Sequence, residues 1–272
     1  MQTILLAIFC GALVGFCLGA LGGGGGILVW PALVFGIGCE ATEASLLAKI
    51  IVGTSALFAA TLHARRGTLD YRKGLLMAAI GAVGSAVGGR FIELTGMDEA
   101  AAKQAMVVLL LVLMFVVAGL MLRKGLKQRS VEANTAERST DEPQTTSSPT
   151  VARLVAFSLA SLWIGFLTGF LGVGGGFMIV PVLVFVFDMP MKIAAGTSLG
   201  VISVNCFVGI AASRSSEIRW DVALLFAVSS IVASFIAVRV TGRTRQSTLQ
   251  IAFSGLIVVL AALTFWKLSR GG

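Results

Sequence analysis

Charged residues are scarce in this chain: they make up 12% of its 272 residues, against 57% hydrophobic residues and a mean hydropathy of +0.95. So little charge leaves too little polar surface to cover a soluble globule. Histidine occurs once, and the sequence has no His-rich helix, no pair of carboxylates inside an apolar stretch and no Ser/His/Asp set. The sequence therefore lacks the residue sets that a membrane hydrolase or a metalloenzyme would need for catalysis. We therefore predict that the protein is not an enzyme and uses no cofactor or metal.

The four cysteines are too few and too scattered for a disulfide framework or a metal site. Cys10, Cys17 and Cys206 lie within apolar stretches, and Cys39 lies at the end of one. None has metal-ligand spacing, so we interpret them as small buried hydrophobic side chains.

What the chain has in abundance is apolar stretches of about 17 to 25 residues, the length that crosses a hydrocarbon core. They are residues 4–21, 44–62, 75–91, 105–122, 154–171, 193–212, 222–240 and 249–266. The first stretch lacks a basic leading region, so we expect it to be retained rather than cleaved as a signal peptide. The sequence thus predicts an all-α polytopic membrane protein with eight long transmembrane helices.

A polar segment, residues 123–151, divides the apolar part into a first transmembrane repeat, residues 1–122, and a second, residues 152–272. Its composition is that of a flexible linker. Its basic start predicts a cytoplasmic location by the positive-inside rule. The basic loop at 65–73 is two spans away and falls on the same side. Because the 21 Lys and Arg residues cluster beyond apolar spans, they indicate topology and not nucleic-acid binding.

The two halves share a glycine-rich pattern at an offset of 150 residues. Glycines at 15, 19, 22, 24, 25 and 26 recur at 165, 169, 172, 174, 175 and 176, and Pro31 recurs as Pro181. Paired apolar segments interrupted by Gly and Pro, at corresponding places in two halves, indicate the binding site of a secondary transporter. The chain is therefore interpreted as two homologous halves.

Each glycine run is followed by a short apolar segment, residues 27–38 and 177–189. As a helix each would reach roughly 20 Å at about 1.5 Å per residue, short of the roughly 30 Å core. If both segments cross, the halves are inverted and the cluster Arg239, Arg243 and Arg245 is cytoplasmic. If both are re-entrant, the halves are parallel. The denser basic cluster slightly favours inversion, and both arrangements stay open at this point.

Helix starts that follow glycine runs present backbone N–H groups at the positive end of the helix dipole, which suits an anion. The alternative is that the glycines only allow close helix packing. A Walker A loop is excluded because Ile or Phe follows the run, and a Rossmann loop because a membrane span precedes it. The predicted binding glycines are Gly22, Gly23, Gly24, Gly25, Gly26, Gly172, Gly174, Gly175 and Gly176.

Lys49 stands inside an otherwise apolar span, where a charge costs roughly 2.5 to 3.5 kcal/mol on insertion scales. We predict that it anchors an oxyanion, with snorkelling to the interface as the alternative. Its counterpart at the repeat offset is Leu199, so the site would be asymmetric. Small polar residues in the same pair of helices could donate hydrogen bonds to an anion. Alternatively, they could form hydrogen bonds between helices or to the backbone of their own helix. They are Thr54, Ser55, Thr197, Ser198 and Asn205.

The duplicated pattern Gly-Phe-x-x-Gly-x-Leu-Gly-x-Gly-Gly-Gly, with Pro five residues on, resembles the sulfite exporter TauE/SafE family, also called toluene sulfonate uptake permeases. The stretch 44–50 is similar to the family's Ala-x-x-Thr-Asn-Lys-Leu, with Leu47 and Ala48 in place of Thr-Asn. The stretch 195–199 is similar to its Gly-Thr-Ser-Leu. The resemblance implies a bacterial inner-membrane carrier for sulfite, sulfonates or related small organic anions that works without ATP.

The sequence thus predicts a secondary transporter of a small oxyanion, with the two helix starts as the central site and Lys49 as its cationic anchor. The expected partners are a small anionic substrate, the lipid bilayer and, for coupling, a proton or a cation. No oligomeric state follows from the sequence. An anion channel of the same fold and a non-transporting membrane scaffold remain the rival interpretations.

Overall fold

The computed structural model describes residues 2–23, 25–91, 151–171, 176–187, 189–213 and 219–241, with scattered helical residues between 104 and 123 and between 248 and 262. Over these residues the chain is all-helical, without a β-strand. The helices are α1 (Gln2–Leu21), α2 (Gly26–Pro31), a π-helical segment (Ala32–Ile37), α3 (Ala41–Arg65), α4 (Tyr71–Gly89), α5 (Val151–Leu171), α6 (Gly176–Val186), α7 (Met191–Ala212) and α8 (Trp220–Thr241). The all-α prediction is confirmed, and the linker lies almost entirely outside the described residues.

Three helices of the described chain are long and apolar enough to cross a membrane: Glu43–Arg65, Met191–Ala212 and Trp220–Val240. They coincide with predicted spans in α3, α7 and α8. Shorter apolar helices in α1 and α5 also fall on predicted spans. The predicted span 75–91 falls on α4, which is not among these candidates. The predicted spans 105–122 and 249–266 lie largely outside the described residues, so the number of eight stays a prediction.

Glycine and proline set the helix ends around the short segments. Gly22 and Gly23, at the end of α1, have φ angles of +71° and +131°, which L side chains rarely adopt. Helix α2 ends at Pro31, and a proline lacks the amide hydrogen that a helix interior needs. The chain widens into the π-helical segment directly after it. Pro181 lies inside α6, at the corresponding place of the sequence repeat.

Close contacts at small residues show the directions of the outer helices. Helix α1 packs along α8, and α5 packs along α4, each pair in parallel. The contacts that set these directions are Gly11 with Phe226, Gly19 with Ser234, Gly165 with Gly81, and Gly169 with Ser85. A Cβ at any of these glycines would collide with the partner helix, so the glycines allow the backbones to touch.

Helices α3 and α7 form the antiparallel centre of the molecule. Lys49, early in α3, lies at Gly209, late in α7, whereas His63 at the end of α3 lies at Gly196. In the apolar window of each of these two helices, 67% of the residues are buried, the largest shares among the candidate spans. The core therefore lies along their contact.

Further contacts show the relative directions of the other helices. Helix α8 runs parallel to α3, because Arg219 lies at Cys39 and the Arg66 guanidinium donates to the Val238 carbonyl. Helices α1, α3 and α8 thus share one direction, and α4, α5 and α7 share the opposite one. Because α1 and α3 point the same way, the connection that contains α2 returns to the end at which α1 begins. The connection that contains α6 returns in the same manner between α5 and α7.

Candidate functional site

The Lys49 side chain is buried in the protein, with an exposed fraction of 4%. It lies about 12 Å into α3 at about 1.5 Å per residue. Its Nζ donates to the Ser213 hydroxyl over 3.2 Å. Within the described residues no carboxylate lies within 4.0 Å of this amine. The amine therefore does not snorkel to the surface, and the described part of the protein supplies it with a neutral partner only.

A polar cluster surrounds the Lys49 stem where α3, α4 and α7 meet. A Cβ placed on Gly209 would lie 3.5 Å from the Lys49 Cδ and 3.0 Å from the Ser85 hydroxyl. Ser85 donates to the Asn205 carbonyl over 2.7 Å. Because Gly209 has no side chain, Lys49 and Ser85 can both approach the α7 backbone at this position.

The end of α5 reaches the same cluster. The Gly169 Cα would lie 3.8 Å from a Cβ at Gly209. The second glycine run begins three residues after Gly169. Gly172, Gly174 and Gly175 lie outside the described residues, and Gly176 is the first residue of α6. The chain thus enters the second glycine run from the Lys49 end of α7.

The first glycine run lies at the other end of α7. Gly22 packs against Ala195, and its carbonyl accepts a hydrogen bond from Ser198. Ala195 and Gly209 are about 21 Å apart along the helix at about 1.5 Å per residue. The structure therefore brings Lys49 close to the approach to the second run and not to the first, whereas the sequence interpretation joined all three.

Other glycines of the first run serve packing. A Cβ at Gly25 would collide with the Val14 carbonyl and the Leu18 amide of α1. Gly23 is buried, Gly26 begins α2, and Gly24 lies outside the described residues. For Gly25 the close-packing alternative is thus realised.

The predicted hydroxyl and amide residues fall into two groups. Thr54 donates to the Ile50 carbonyl over 2.8 Å, Thr197 accepts from the Asp70 amide over 2.9 Å, and Ser198 lies 2.8 Å from the Ala195 carbonyl. These three hydroxyls therefore form hydrogen bonds with backbone groups of the protein. By contrast, the Ser55 Oγ and the Asn205 Oδ1 are buried without a hydrogen-bond partner within the described chain.

Ser55 and Asn205 occupy the same position of the sequence repeat, 150 residues apart. Their exposed fractions are 0% and 1%. A buried polar atom without a partner costs about 1–3 kcal/mol, so each of these two atoms calls for an explanation. Both lie on the central helices α3 and α7.

Sequence reasoning missed two members of the Lys49 cluster. Ser85 lies on α4 in a face of small residues formed by Gly81, Gly84 and Gly88, and that spacing was a usable signal. Ser213 directly follows the end of α7, and no local pattern marks it as a partner of a residue 164 positions away.

Gly22→Ala is expected to destabilise the protein more than Gly67→Ala. Both glycines have positive φ, +71° and +68°, so each alanine should cost about 1–2 kcal/mol of backbone strain. A Cβ at Gly22 also collides with Ala195, whereas Gly67 has nothing within 4 Å. That overpacking should add about 1–3 kcal/mol. Thermal unfolding in detergent measures the difference, and equal losses would refute the tight Gly22–Ala195 contact.

The chain resembles known membrane proteins over nearly its whole length. The model of the family described as sulfite exporter TauE/SafE matches residues 7–264. A "Probable membrane transporter protein" of Xylella fastidiosa (strain Temecula1) is 28% identical over 98% of this chain and 96% of its own. The protein "Probable membrane transporter protein YunE" of Bacillus subtilis (strain 168) is 26% identical over 82% of this chain and 83% of its own. No solved structure matches the chain significantly.

Proposed function

The chain belongs to the sulfite exporter TauE/SafE family, and on that premise we propose that it is a secondary transporter of a small oxyanion such as sulfite, a sulfonate or a related organic anion. It is a multi-pass membrane protein of a transporter family. We place it in the bacterial inner membrane. Its substrate is a small anion, and a proton or a cation couples its movement.

One observation carries the anionic substrate: Lys49 is a buried cation without a carboxylate nearby in the described chain. A charge in a membrane helix normally pairs with another charge or lines a substrate pathway. A bound oxyanion would supply the missing countercharge and accept charge-assisted hydrogen bonds from Nζ.

The binding site centres on the Lys49 end of α7. The backbone of Gly172, Gly174, Gly175 and Gly176 forms its second side, because a glycine run at a helix start can donate several N–H groups to an oxyanion. Gly169, which leads into that run, already lies at the Lys49 cluster. Asn205 on α7 contributes its side-chain NH₂ group, which can donate to an oxyanion; its unpartnered Oδ1 is an acceptor and cannot serve that role.

The first run forms the opposite end of the same pathway, where Ser198 holds its backbone through the Gly22 carbonyl and Thr197 holds the Asp70 amide. Gly22, Gly23, Gly24, Gly25 and Gly26 are the residues of this end. Ser55 is the counterpart of Asn205 on α3, between the two ends. A pathway with one glycine run toward each face would suit access from either side of the membrane in turn.

We propose that the two halves have opposite orientations in the membrane. Helices α1 and α5 begin the two halves and run in opposite directions, as do the counterparts α3 and α7. Helix α1 packs on α8 while α5 packs on α4, so the first helix of each half packs on the fourth helix of the other. These pairings are what a two-fold axis in the membrane plane would produce.

Uptake of labelled sulfite into proteoliposomes tests the proposal, with a proton gradient imposed and then collapsed, and with sulfoacetate and sulfate as competitors. A gradient of one pH unit is worth about 1.4 kcal/mol, so coupling to one proton should give about tenfold accumulation. Accumulation that disappears with the gradient supports a coupled carrier.

The rival functions give different results. Saturation at equal concentrations on both sides, whatever the gradient, would identify an anion channel. No flux of any tested anion through a folded, reconstituted sample would favour the scaffold interpretation.

A further inference from the structure

An apolar groove opens on the outer surface of the molecule, away from the Lys49 cluster. It has a volume of about 290 Å³ and lies between the second half of α3, the first half of α4 and the first half of α7. Its lining includes Leu57, Ala60, Ala64, Leu75, Ala78 and Val204.

The groove is open along its length. Leu57, Leu75 and Val204 are exposed by 48%, 73% and 40%. Along α4 it extends from Tyr71 to Ala78, about 10 Å at about 1.5 Å per residue. It therefore reaches about a third of the way through a hydrocarbon core of roughly 30 Å. Its walls suit an acyl chain and offer nothing to a free anion.

The mouth of the groove is basic. Arg65 lies one helical turn beyond Thr61, and Arg72 lies one turn before Leu75, so both flank the opening. Both arginines are exposed, and the described residues give neither an ion pair. The neighbouring cations are otherwise engaged, since Arg66 donates to a carbonyl of α8 and Lys73 pairs with Asp70.

Tyr71 indicates where the opening of the groove lies relative to the lipid headgroups. It is the single tyrosine of the chain, it lines the groove, and it is 65% exposed. Tyrosine is enriched at the level of the lipid headgroups. The arginines beside it therefore lie at the height of the lipid phosphates.

From the groove, the two arginines and the tyrosine we infer a binding site for one anionic phospholipid. One acyl chain lies in the groove between α3, α4 and α7, and the phosphate lies between Arg65 and Arg72. Basic pockets between membrane helices on the cytoplasmic side suit anionic headgroups, and the positive-inside rule places this turn there. The site shares no residue with the Lys49 cluster, and Thr197, which lines the groove near the first glycine run, already accepts a hydrogen bond from the Asp70 amide.

Binding of phosphatidylglycerol tests the inference, by native mass spectrometry of the purified full-length protein and by thermal unfolding during lipid titration. Phosphatidylglycerol should bind and raise Tm, and phosphatidylcholine should do so much less. Arg65→Gln with Arg72→Gln should weaken phosphatidylglycerol binding about tenfold or more. Arg239→Gln is the matched control: Arg239 is exposed at the same end of the molecule and stacks on Phe235, outside the groove. It should leave the affinity unchanged.

A second variant separates the groove from the charges. Ala64→Trp fills the groove and keeps both arginines, and it should also displace the lipid. Glycerophosphoglycerol, the headgroup without chains, should not compete. Equal binding of both lipids, equal loss in Arg239→Gln, or competition by the free headgroup would overturn the inference. So would a monomer–dimer shift in Ala64→Trp without a change in lipid binding, since a second copy of the chain would then occupy the groove.

Discussion

Lys49→Met is expected to reduce anion transport about 30-fold or more while the protein stays at least as stable. Removing one partner of a desolvated charge pair costs about 2–5 kcal/mol of binding, and each 1.4 kcal/mol is a factor of ten. Methionine has a similar length and no charge, so it removes a desolvation penalty of a few kcal/mol from a buried position. Transport kinetics in proteoliposomes and thermal unfolding of the same sample measure the two effects.

Ser213→Ala is the control that separates an anion anchor from a helix cap. Lysine near a helix C-terminus can stabilise the helix end, and Ser213 follows the end of α7. If Lys49 served only to hold Ser213, then Ser213→Ala should lower transport as much as Lys49→Met. We expect it to keep most of the transport, because the charge remains. Wild-type transport in folded Lys49→Met would remove Lys49 from the site.

Gly84→Leu is expected to prevent stable assembly of α4 with α5. A Cβ at Gly84 would already collide with the Leu162 carbonyl and the Phe166 amide, which are backbone atoms and cannot turn aside. Separating the helices would break a contact that continues through Gly88 and Gly165. A loss above the usual 1–3 kcal/mol of overpacking is therefore expected.

Gly119→Leu is the matched control, because Gly119 is helical and has nothing within 4 Å of the position that a Cβ would take. Size-exclusion chromatography in detergent and thermal unfolding compare the two variants. The control should elute and unfold like the parent, whereas Gly84→Leu should aggregate or fail to accumulate. Equal behaviour of the two variants would contradict the close α4–α5 contact.

Several features of the candidate site could be predicted from single residues. A lysine in an apolar span must be buried, form an ion pair or extend its amine to the membrane interface. In the structure Lys49 is buried. Other features depended on partners distant in sequence. Thr197 and Ser198 looked like anion ligands, yet the structure uses them to hold the Asp70 amide and the backbone near Gly22 and Ala195. A hydroxyl has the same appearance in a sequence whichever acceptor lies next to it in space.

The sequence by itself determined the membrane class, the helical architecture, the glycine repeat and the buried cation, because apolar length, Gly and Pro act locally along the chain. Only the tertiary structure decided that Lys49 meets the late part of α7, that Gly22 packs about 21 Å away at its early part, and that α2 lies on a returning connection. These results depend on which helix surfaces fit together at small residues. That fit is a property of two surfaces from different halves of the chain, and neither half encodes it alone.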